Sequence, residues 1–368
     1  MSAVGLYIHV PFCVKKCPYC DFYSITDHNS DLFDKYTDAV VRNIKKYLSE
    51  NKNLLFDTVY FGGGTPSIMP VSFYEAILKT ISQSCSIESS EITIELNPKT
   101  ADKDKIVSLR NVGINRLSVG IQSANDTELA DLGRIHNFAE ASEIILSAHE
   151  AGFDNISADL MISIKNQTIQ TLKNSIDMVT ALPVKHISAY ILKIEKGTVY
   201  YKNNISDYLP DDDKTAEMYI EAVRRLSDKG FKQYEISNFS KHGFQSKHNL
   251  KYWYCQEYIG IGPSAHSFFN NKRYEVPKDV NKFTLSEYQN EIINEEHPGD
   301  FFEKAMLALR LTEGLDLKPY PEYVAKVIKH AEKFRKASLL KINDRVISLT
   351  PQGFLVSNSI ISDLLSEF

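Results

Sequence analysis

The chain has 368 residues, with 42 basic and 47 acidic side chains and a formal net charge of -5. This balance gives no overall basic field, so we expect no nucleic-acid partner. No uninterrupted apolar stretch approaches the roughly 20 residues that a membrane-spanning helix needs. Five cysteines without a recognisable signal peptide are typical of a reducing compartment, so we expect a cytoplasmic protein.

Short β-rich segments alternate with longer amphipathic segments along the first two-thirds of the chain. Strands are predicted at 5–10, 57–61, 91–96, 115–120, 155–161 and 186–190. Helices are predicted at 31–48, 70–84, 102–112, 137–151 and 168–182. This order predicts an α/β fold with parallel strands and external helices, as a complete or partial barrel or as an open sheet. In each of these folds, ligands bind at the carboxyl ends of the strands.

Three cysteines follow the first predicted strand in a CxxxCxxC pattern, Cys13, Cys17 and Cys20. Three thiolates can hold three irons of a cubic [4Fe–4S] cluster and leave the fourth iron open to a small molecule. A zinc site would need a fourth ligand, usually from a second CxxC or His pair, whereas Cys85 and Cys255 are solitary. Buried, inert cysteines are the structural alternative.

A glycine-rich segment, 62–65 (GGGT), follows the second predicted strand. Glycines let the backbone approach a ligand that side chains would exclude. The loop can donate N–H groups to a carboxylate or accept an ammonium on its carbonyls, and S-adenosylmethionine (SAM) has both groups. A tight turn without a ligand is the alternative, because the segment lacks the GxGxxG and GxxxxGK[ST] spacings.

Polar side chains mark the ends of the later strands. Glu95, Gln122, Arg134 and Asp159 fall at or just beyond successive strand ends, where we expect them to face a common ligand. The alternatives are a structural ion pair between Glu95 and Arg134, a turn cap at Asp159 and a solvent-facing Gln122.

Together these motifs resemble those of the radical SAM superfamily. Segments 6–13 (LYIHVPFC), 95–98 (ELNP), 115–123 (NRLSVGIQS) and 234–239 (YEISNF) are similar to blocks of its oxygen-independent coproporphyrinogen III oxidase group. The resemblance covers nearly the whole chain. It implies a partial (β/α)6 barrel of the TIM type, and a [4Fe–4S] cluster bound by Cys13, Cys17 and Cys20.

The resemblance also implies a SAM site and a reductant such as flavodoxin or ferredoxin. The positions that match SAM contacts of the family are Tyr7, Tyr19, Gly63, Gly64, Thr65, Glu95, Gln122, Arg134 and Asp159. One block differs, because the family's usual GLPGQT turn is 163–168 (SIKNQT) in this chain. Asn166 can adopt a left-handed conformation, so we expect the turn to persist.

The group contains oxidases that decarboxylate coproporphyrinogen III and haem chaperones, the HemW family. The oxidase pattern has a fourth cysteine where this chain has Phe22, and segment 248–253 (HNLKYW) resembles the HNxxYW motif associated with haem. The resemblance favours a haem chaperone that delivers haem to membrane respiratory enzymes. The anaerobic oxidase is the alternative, and a cluster-binding scaffold without radical chemistry is a third. Whether the protein is an enzyme stays open.

The predicted haem contacts are His248, Asn249, Tyr252 and Trp253. An imidazole can ligate haem iron, and aromatic rings can pack against the macrocycle. A hydrogen-bonded His and Asn beside a packed aromatic pair is the structural alternative. His266 is a second candidate ligand, on a loop whose glycines permit close approach.

The composition changes beyond residue 269. We predict a barrel over 1–269, a polar connection over 270–300, and a small domain over 301–368 with helices and a hairpin at 339–342 and 346–349. Helices with a hairpin suggest a winged-helix-like unit, for which we expect a covering or docking role. The sequence allows a homodimer, and association with a membrane through partner proteins.

Overall fold

The computed structural model describes residues 3–366. All six predicted strands of the barrel form, within one or two residues of the expected bounds at most ends. The strands are β1 (Ala3–Val10), β2 (Leu55–Gly63), β3 (Glu91–Leu96), β4 (Arg116–Gln122), β5 (Asn155–Ile162), β6 (His186–Ile191), β7 (Lys232–Gln233), β8 (Asn238–Ser240), β9 (Tyr258–Ile261), β10 (His266–Phe269), β11 (Lys272–Glu275), β12 (Ile292–Glu295), β13 (Leu315–Asp316), β14 (Leu340–Asn343) and β15 (Val346–Leu349).

Within residues 3–366, twelve strands form one sheet in the order β12-β11-β10-β9-β1-β2-β3-β4-β5-β6-β8-β7. Strands β1 to β6 run parallel, and β9 also pairs parallel with β1. Antiparallel strands extend both edges. Within the described residues the outermost strands, β12 and β7, do not pair with each other, so the barrel is open. The prediction of an α/β partial barrel with parallel strands is confirmed.

Helices connect the parallel strands and cover one face of the sheet. They are α1 (Ser30–Glu50), α2 (Val71–Ser82), α3 (Lys103–Asn111), α4 (Asp126–Asp131), α5 (Phe138–Glu150), α6 (Ile169–Thr180), α7 (Val199–Lys202), α8 (Asp212–Asp228), α9 (Lys247–Trp253), α10 (Val280–Leu285), α11 (Phe301–Ala308), α12 (Pro321–Lys336), α13 (Pro351–Leu355) and α14 (Ser357–Leu365). Side-chain caps fix several starts; Asn137 and Thr168 each form a capping box. No helix among residues 3–366 is both long and apolar enough to cross a bilayer.

The two faces of the sheet differ because side chains alternate along each strand. In β1, Leu6 and Ile8 are fully buried against the helices. The alternate residues face the inner side of the barrel, where Tyr7 and Tyr60 lie with their ring centroids 6.1 Å apart. The inner side of β2 to β6 is largely polar, with Thr58, Tyr60, Glu91, Thr93, Glu95, Arg116, Ser118, Ser157, Asp159, His186 and Ser188. The hydrophobic core therefore lies between the outer face of the sheet and the helices, and the inner face carries mostly polar side chains.

The C-terminal residues form a second, three-stranded sheet in the order β13-β15-β14, flanked by α12, α13 and α14. The predicted hairpin is present as β14 and β15. Strands β11 and β12 fall within segment 270–300, which we expected to be a connection, and they extend the main sheet. Because the sheet continues past residue 269, we propose that the division between domains lies near residue 300.

Candidate functional site

The cysteine loop begins directly after β1 and is closed at its base. The Cys13 N–H donates to the Ile25 carbonyl at 3.0 Å, and the Ile25 N–H donates to the Pro11 carbonyl at 2.7 Å. Cys13 is buried, whereas Cys17 and Cys20 are half-buried. The backbone therefore holds the three-cysteine segment against the carboxyl end of the first strand, where the sequence predicted it.

Hydrogen-bond donors from other elements point at two of these sulfurs. The Thr65 hydroxyl lies 3.4 Å from the Cys13 sulfur, and Nη1 of Arg134 lies 3.7 Å from the Cys17 sulfur. Donors of this kind suit thiolates, which accept hydrogen bonds and carry negative charge. Burial raises the pKa of the Cys20 thiol.

The three cysteines fit a cubic cluster better than a single metal ion. Within residues 3–366, no three His, Cys, Asp or Glu side chains converge on one ion position. In a cubic cluster each thiolate binds a different iron, so the sulfurs need not meet at one point. The glycine loop and Arg134 lie beside the sulfurs and add no fourth thiolate.

The glycine loop packs so closely on the cysteine loop that a side chain would not fit. A Cβ on Gly64 would lie 2.8 Å from the Phe12 carbonyl oxygen and 3.1 Å from the Cys13 sulfur. Gly63 has a φ of 112°, which favours glycine. The close approach of two backbone segments therefore explains Gly64, and the positive φ explains Gly63.

The N–H groups of the glycine loop already have partners within the protein. Gly63 donates to Oε2 of Glu95 at 3.1 Å, Gly64 to the Val10 carbonyl at 2.8 Å, and Thr65 to the Phe12 carbonyl at 2.8 Å. Of the two options that the sequence left open, N–H donation to a ligand carboxylate would require these bonds to break. The geometry favours the other option, in which loop carbonyls accept from an ammonium.

Glu95 lies at the centre of the inner face. Its Oε1 accepts from the Tyr60 hydroxyl at 3.0 Å. Burial raises the pKa of Glu95 to about 7, although the Tyr60 hydrogen bond opposes the rise. The nearby Asp159 acts in the same direction as burial. A carboxyl group with this pKa can hold or release a proton near neutral pH.

Gln122 and Arg134 meet at the carboxyl end of β4. Gln122 sits at a bulge with a φ of 73°, and Nη2 of Arg134 donates to the Gly120 carbonyl at 2.8 Å. Burial lowers the pKa of Arg134, but Tyr19 and Cys17 beside it raise it above its ordinary value. The guanidinium is therefore a permanent positive charge next to the cysteine loop.

Asp159 lies deeper on the inner face, and Tyr19 lies on the cysteine loop. The Ser118 hydroxyl is 3.2 and 3.3 Å from the two oxygens of Asp159, and burial raises the pKa of this carboxyl. Burial also raises the pKa of Tyr19. The SAM assignments of these residues stay predictions, but the strand ends and the cysteine loop do come together.

Sequence reasoning missed Tyr60 and His9, which belong to the same inner face. The Tyr60 hydroxyl donates to Glu95. Nδ1 of His9 shares a hydrogen bond of 3.1 Å with the Tyr7 hydroxyl. The signal was the strict alternation of side chains in β1 and β2. The left-handed conformation expected at Asn166 is confirmed, with a φ of 61°.

The predicted haem motif is divided between two faces of α9. His248 is buried, with Nδ1 2.8 Å from the Thr58 hydroxyl and Nε2 2.8 Å from the Tyr252 hydroxyl. Its ring stacks on Tyr60, and burial lowers its pKa to about 3. Asn249 and Trp253 are half-buried on the other side of the helix. Ligation of iron by His248 would require the loss of one of its two hydrogen bonds, and its role stays a prediction.

Two family matches define the class of protein. Residues 7–179 match the Radical SAM superfamily, and residues 299–356 match the HemN C-terminal domain. The solved structure of coproporphyrinogen III oxidase (HemN) from Escherichia coli superposes with a TM-score of 0.84 over 100% of this chain and 91% of that one, at 19% identity. That likeness shows the fold alone. The chain thus combines a radical SAM domain with a C-terminal domain that matches the HemN C-terminal family.

Full-length relatives then give the family. "Heme chaperone HemW" of Bacillus subtilis is 31% identical over 98% of this chain and 99% of that protein. "Heme chaperone HemW" of Haemophilus influenzae is 32% identical over 100% of this chain and 99% of that protein. The chain belongs to the HemW family.

Proposed function

We propose that this protein is a haem chaperone, which binds haem and passes it to haem-requiring proteins. The observation that carries the proposal is the 31% identity to a heme chaperone over essentially both full chains. A second observation supports it against the oxidase alternative. Phe22, at the position of the oxidase's fourth cysteine, is 67% exposed beside the cysteine loop. A large apolar ring in that place suits contact with a flat apolar ligand rather than with metal.

The scaffold would carry a [4Fe–4S] cluster on Cys13, Cys17 and Cys20, together with SAM. When bound, the cluster would supply one electron to the sulfonium of SAM. The chain's own part is to place charges around that site: Arg134 offsets the thiolate charge, and the Thr65 hydroxyl donates to a sulfur. Glu95 would hold its proton or release it near neutral pH.

The SAM amino group would lie against the carbonyls of the glycine loop, because the loop's N–H groups have other partners. Tyr7, Gln122 and Asp159 would line the remaining polar part of the site. Partners follow from the same proposal: a low-potential reductant such as flavodoxin or ferredoxin, and haem acceptors among membrane respiratory enzymes. The chaperone would work in the cytoplasm, as a monomer or homodimer, and meet the membrane through its acceptors.

An anaerobic comparison of two activities tests the proposal. Reconstituted protein would be titrated with ferric haem, then mixed with a haem-free acceptor, and transfer followed by the acceptor's absorption. The same preparation would be given reductant, SAM and coproporphyrinogen III. We expect haem transfer and no protoporphyrinogen. Turnover of coproporphyrinogen III would identify the oxidase instead, and failure to bind haem would refute the chaperone.

A further inference from the structure

A cavity of about 420 Å³ opens beside β1, next to the cysteine loop. Its volume lies in the range of small-molecule sites. Residues far apart in sequence form its walls, and many are aromatic: Tyr7, Phe22, Tyr23, Tyr252 and Tyr258. Flat aromatic side chains on several sides suit a planar, largely apolar ligand.

Three histidines lie at or beside this cavity: His9, His248 and His266. They differ in whether a ring nitrogen is without a hydrogen bond. His9 has Nδ1 3.1 Å from the Tyr7 hydroxyl and Nε2 2.9 Å from the Tyr23 carbonyl. His248 has both nitrogens in hydrogen bonds inside the barrel. Neither can bind a metal ion without losing a hydrogen bond in a buried place.

His266 differs from His9 and His248 in its exposure and in its hydrogen bonds. Its side chain is 59% exposed, and it lines the cavity. Its Nε2 lies 3.5 Å from Oε2 of Glu275, the residue opposite it on β11. Its Nδ1 has no hydrogen-bond partner among residues 3–366. A histidine that ligates a metal through one nitrogen and faces a carboxylate with the other has a fixed orientation and a more basic ligand atom.

Two glycines allow the backbone that carries His266 to pack closely against its neighbours. A Cβ on Gly260 would collide with the His266 carbonyl, and a Cβ on Gly262 would lie 2.7 Å from the His9 carbonyl oxygen. The Ala265 N–H donates to the Gly262 carbonyl at 3.0 Å, which closes the turn. The imidazole therefore starts from a tight turn packed against β1, which gives a metal ligand a defined position.

The rim of the cavity carries an available positive charge. Lys278 lines the cavity, is exposed, and forms no ion pair within residues 3–366. An ammonium at the rim can bind a carboxylate group of a ligand whose ring lies between the aromatic walls.

We propose that this cavity binds an iron porphyrin, with His266 as the ligand of the iron and Glu275 as the residue that orients it. The porphyrin ring lies against the aromatic walls, and Lys278 binds a propionate at the rim. His248 acts at a distance, because its 2.8 Å hydrogen bond holds the hydroxyl of Tyr252, one of the walls. This assignment rests on the proposed haem chaperone function and gives that function a site.

Haem titration of variants tests the assignment. The protein would be reconstituted with its cluster and titrated with ferric haem, and in parallel with metal-free protoporphyrin IX, which lacks the iron. We expect His266→Ala to shift the Soret band and to weaken haem binding at least tenfold, while metal-free porphyrin binds as before. Glu275→Gln should weaken haem binding by about tenfold, the lower end of the effect of such orienting residues. Addition of free imidazole should restore the Soret position of His266→Ala.

Two controls separate ligation from general damage. The exposed His242→Ala should change neither titration. His248→Ala should weaken both porphyrins alike, because it acts through the Tyr252 wall. An unchanged Soret band and affinity in His266→Ala would overturn the site while the chaperone function stands. If the wild-type protein binds no haem, the proposed function itself fails, and the site with it.

Discussion

The substitution Glu235→Gln should make the protein more stable at pH 8 than the wild type. Glu235 is 1% exposed in the segment between β7 and β8. One of its oxygens accepts from the Ser237 N–H at 3.0 Å, while Oε1 has no hydrogen-bond partner within the described residues. Burial raises the pKa of this carboxyl from 4.5 to about 7. Between these values the folded chain holds a proton that the unfolded chain has released.

The free energy of unfolding therefore falls as the pH rises through that window. The two pKa values differ by about 2.5, and each pH unit corresponds to ~1.4 kcal/mol. Full deprotonation thus lowers the stability of the wild type by up to ~3 kcal/mol. Glutamine stays neutral at every pH. The stability difference between variant and wild type should grow by this amount from pH 4.5 to pH 8.

Urea denaturation under nitrogen, followed by circular dichroism, would measure that difference, with iron removed from both proteins. Comparing the variant with the wild type cancels the titration of the buried histidines, which changes stability in the opposite direction. Glu88→Gln, which removes a carboxylate at an exposed position, is the matched control. A stability difference that stays constant with pH for Glu235→Gln would refute the argument from burial.

Three further changes test the site and its supports. Gly64→Ala should reduce the iron content after reconstitution and lower stability by about 1–3 kcal/mol. Gly197→Ala is the control for iron content alone: its φ of 92° strains an added side chain, but nothing lies within 4 Å of the Cβ, so the variant should retain iron. Thr65→Val should lower the reduction potential of the cluster, because a hydrogen bond to the Cys13 sulfur is lost. Spectroelectrochemistry would measure the potential, and an unchanged value would contradict a hydrogen bond between Thr65 and this sulfur. Tyr234→Phe should lower the urea midpoint by the equivalent of about 1–3 kcal/mol, since Nε2 of buried His186 loses its 2.8 Å partner. An unchanged midpoint would contradict this expected loss.

The barrel strands could be predicted because each has a continuous run of β-forming residues and because helices separate the strands along the chain. Strand β3 was predicted at 91–96 and is observed as Glu91–Leu96. Strands β7 to β12, which extend the sheet on both sides of the parallel strands, were not predicted. They have two to four residues each, and their pairing depends on neighbours that are brought together only by the fold.

The site residues that belong to a sequence motif could be predicted. The residues whose role depends on their hydrogen bonds could be predicted less well. The cysteine loop and the glycine loop meet as the spacing suggested, with Thr65 3.4 Å from the Cys13 sulfur. Sequence could not tell that the loop's N–H groups were already occupied, or that His248 lies between Thr58 and Tyr252. These hydrogen bonds join residues from different strands and helices, and no local sequence pattern predicts such pairs.

The position of β1 in the sheet also has a consequence for biosynthesis. The strand that leads into the cysteine loop leaves the ribosome early, but one of its two neighbours is β9, with Gly5 paired to Tyr258. At ~5–20 residues per second, that neighbour is made roughly 10–50 s later. The cysteines therefore lack their final support while most of the chain is synthesised. Complete pairing of β1, and with it the final support of the cysteine loop, therefore waits for the translation of β9.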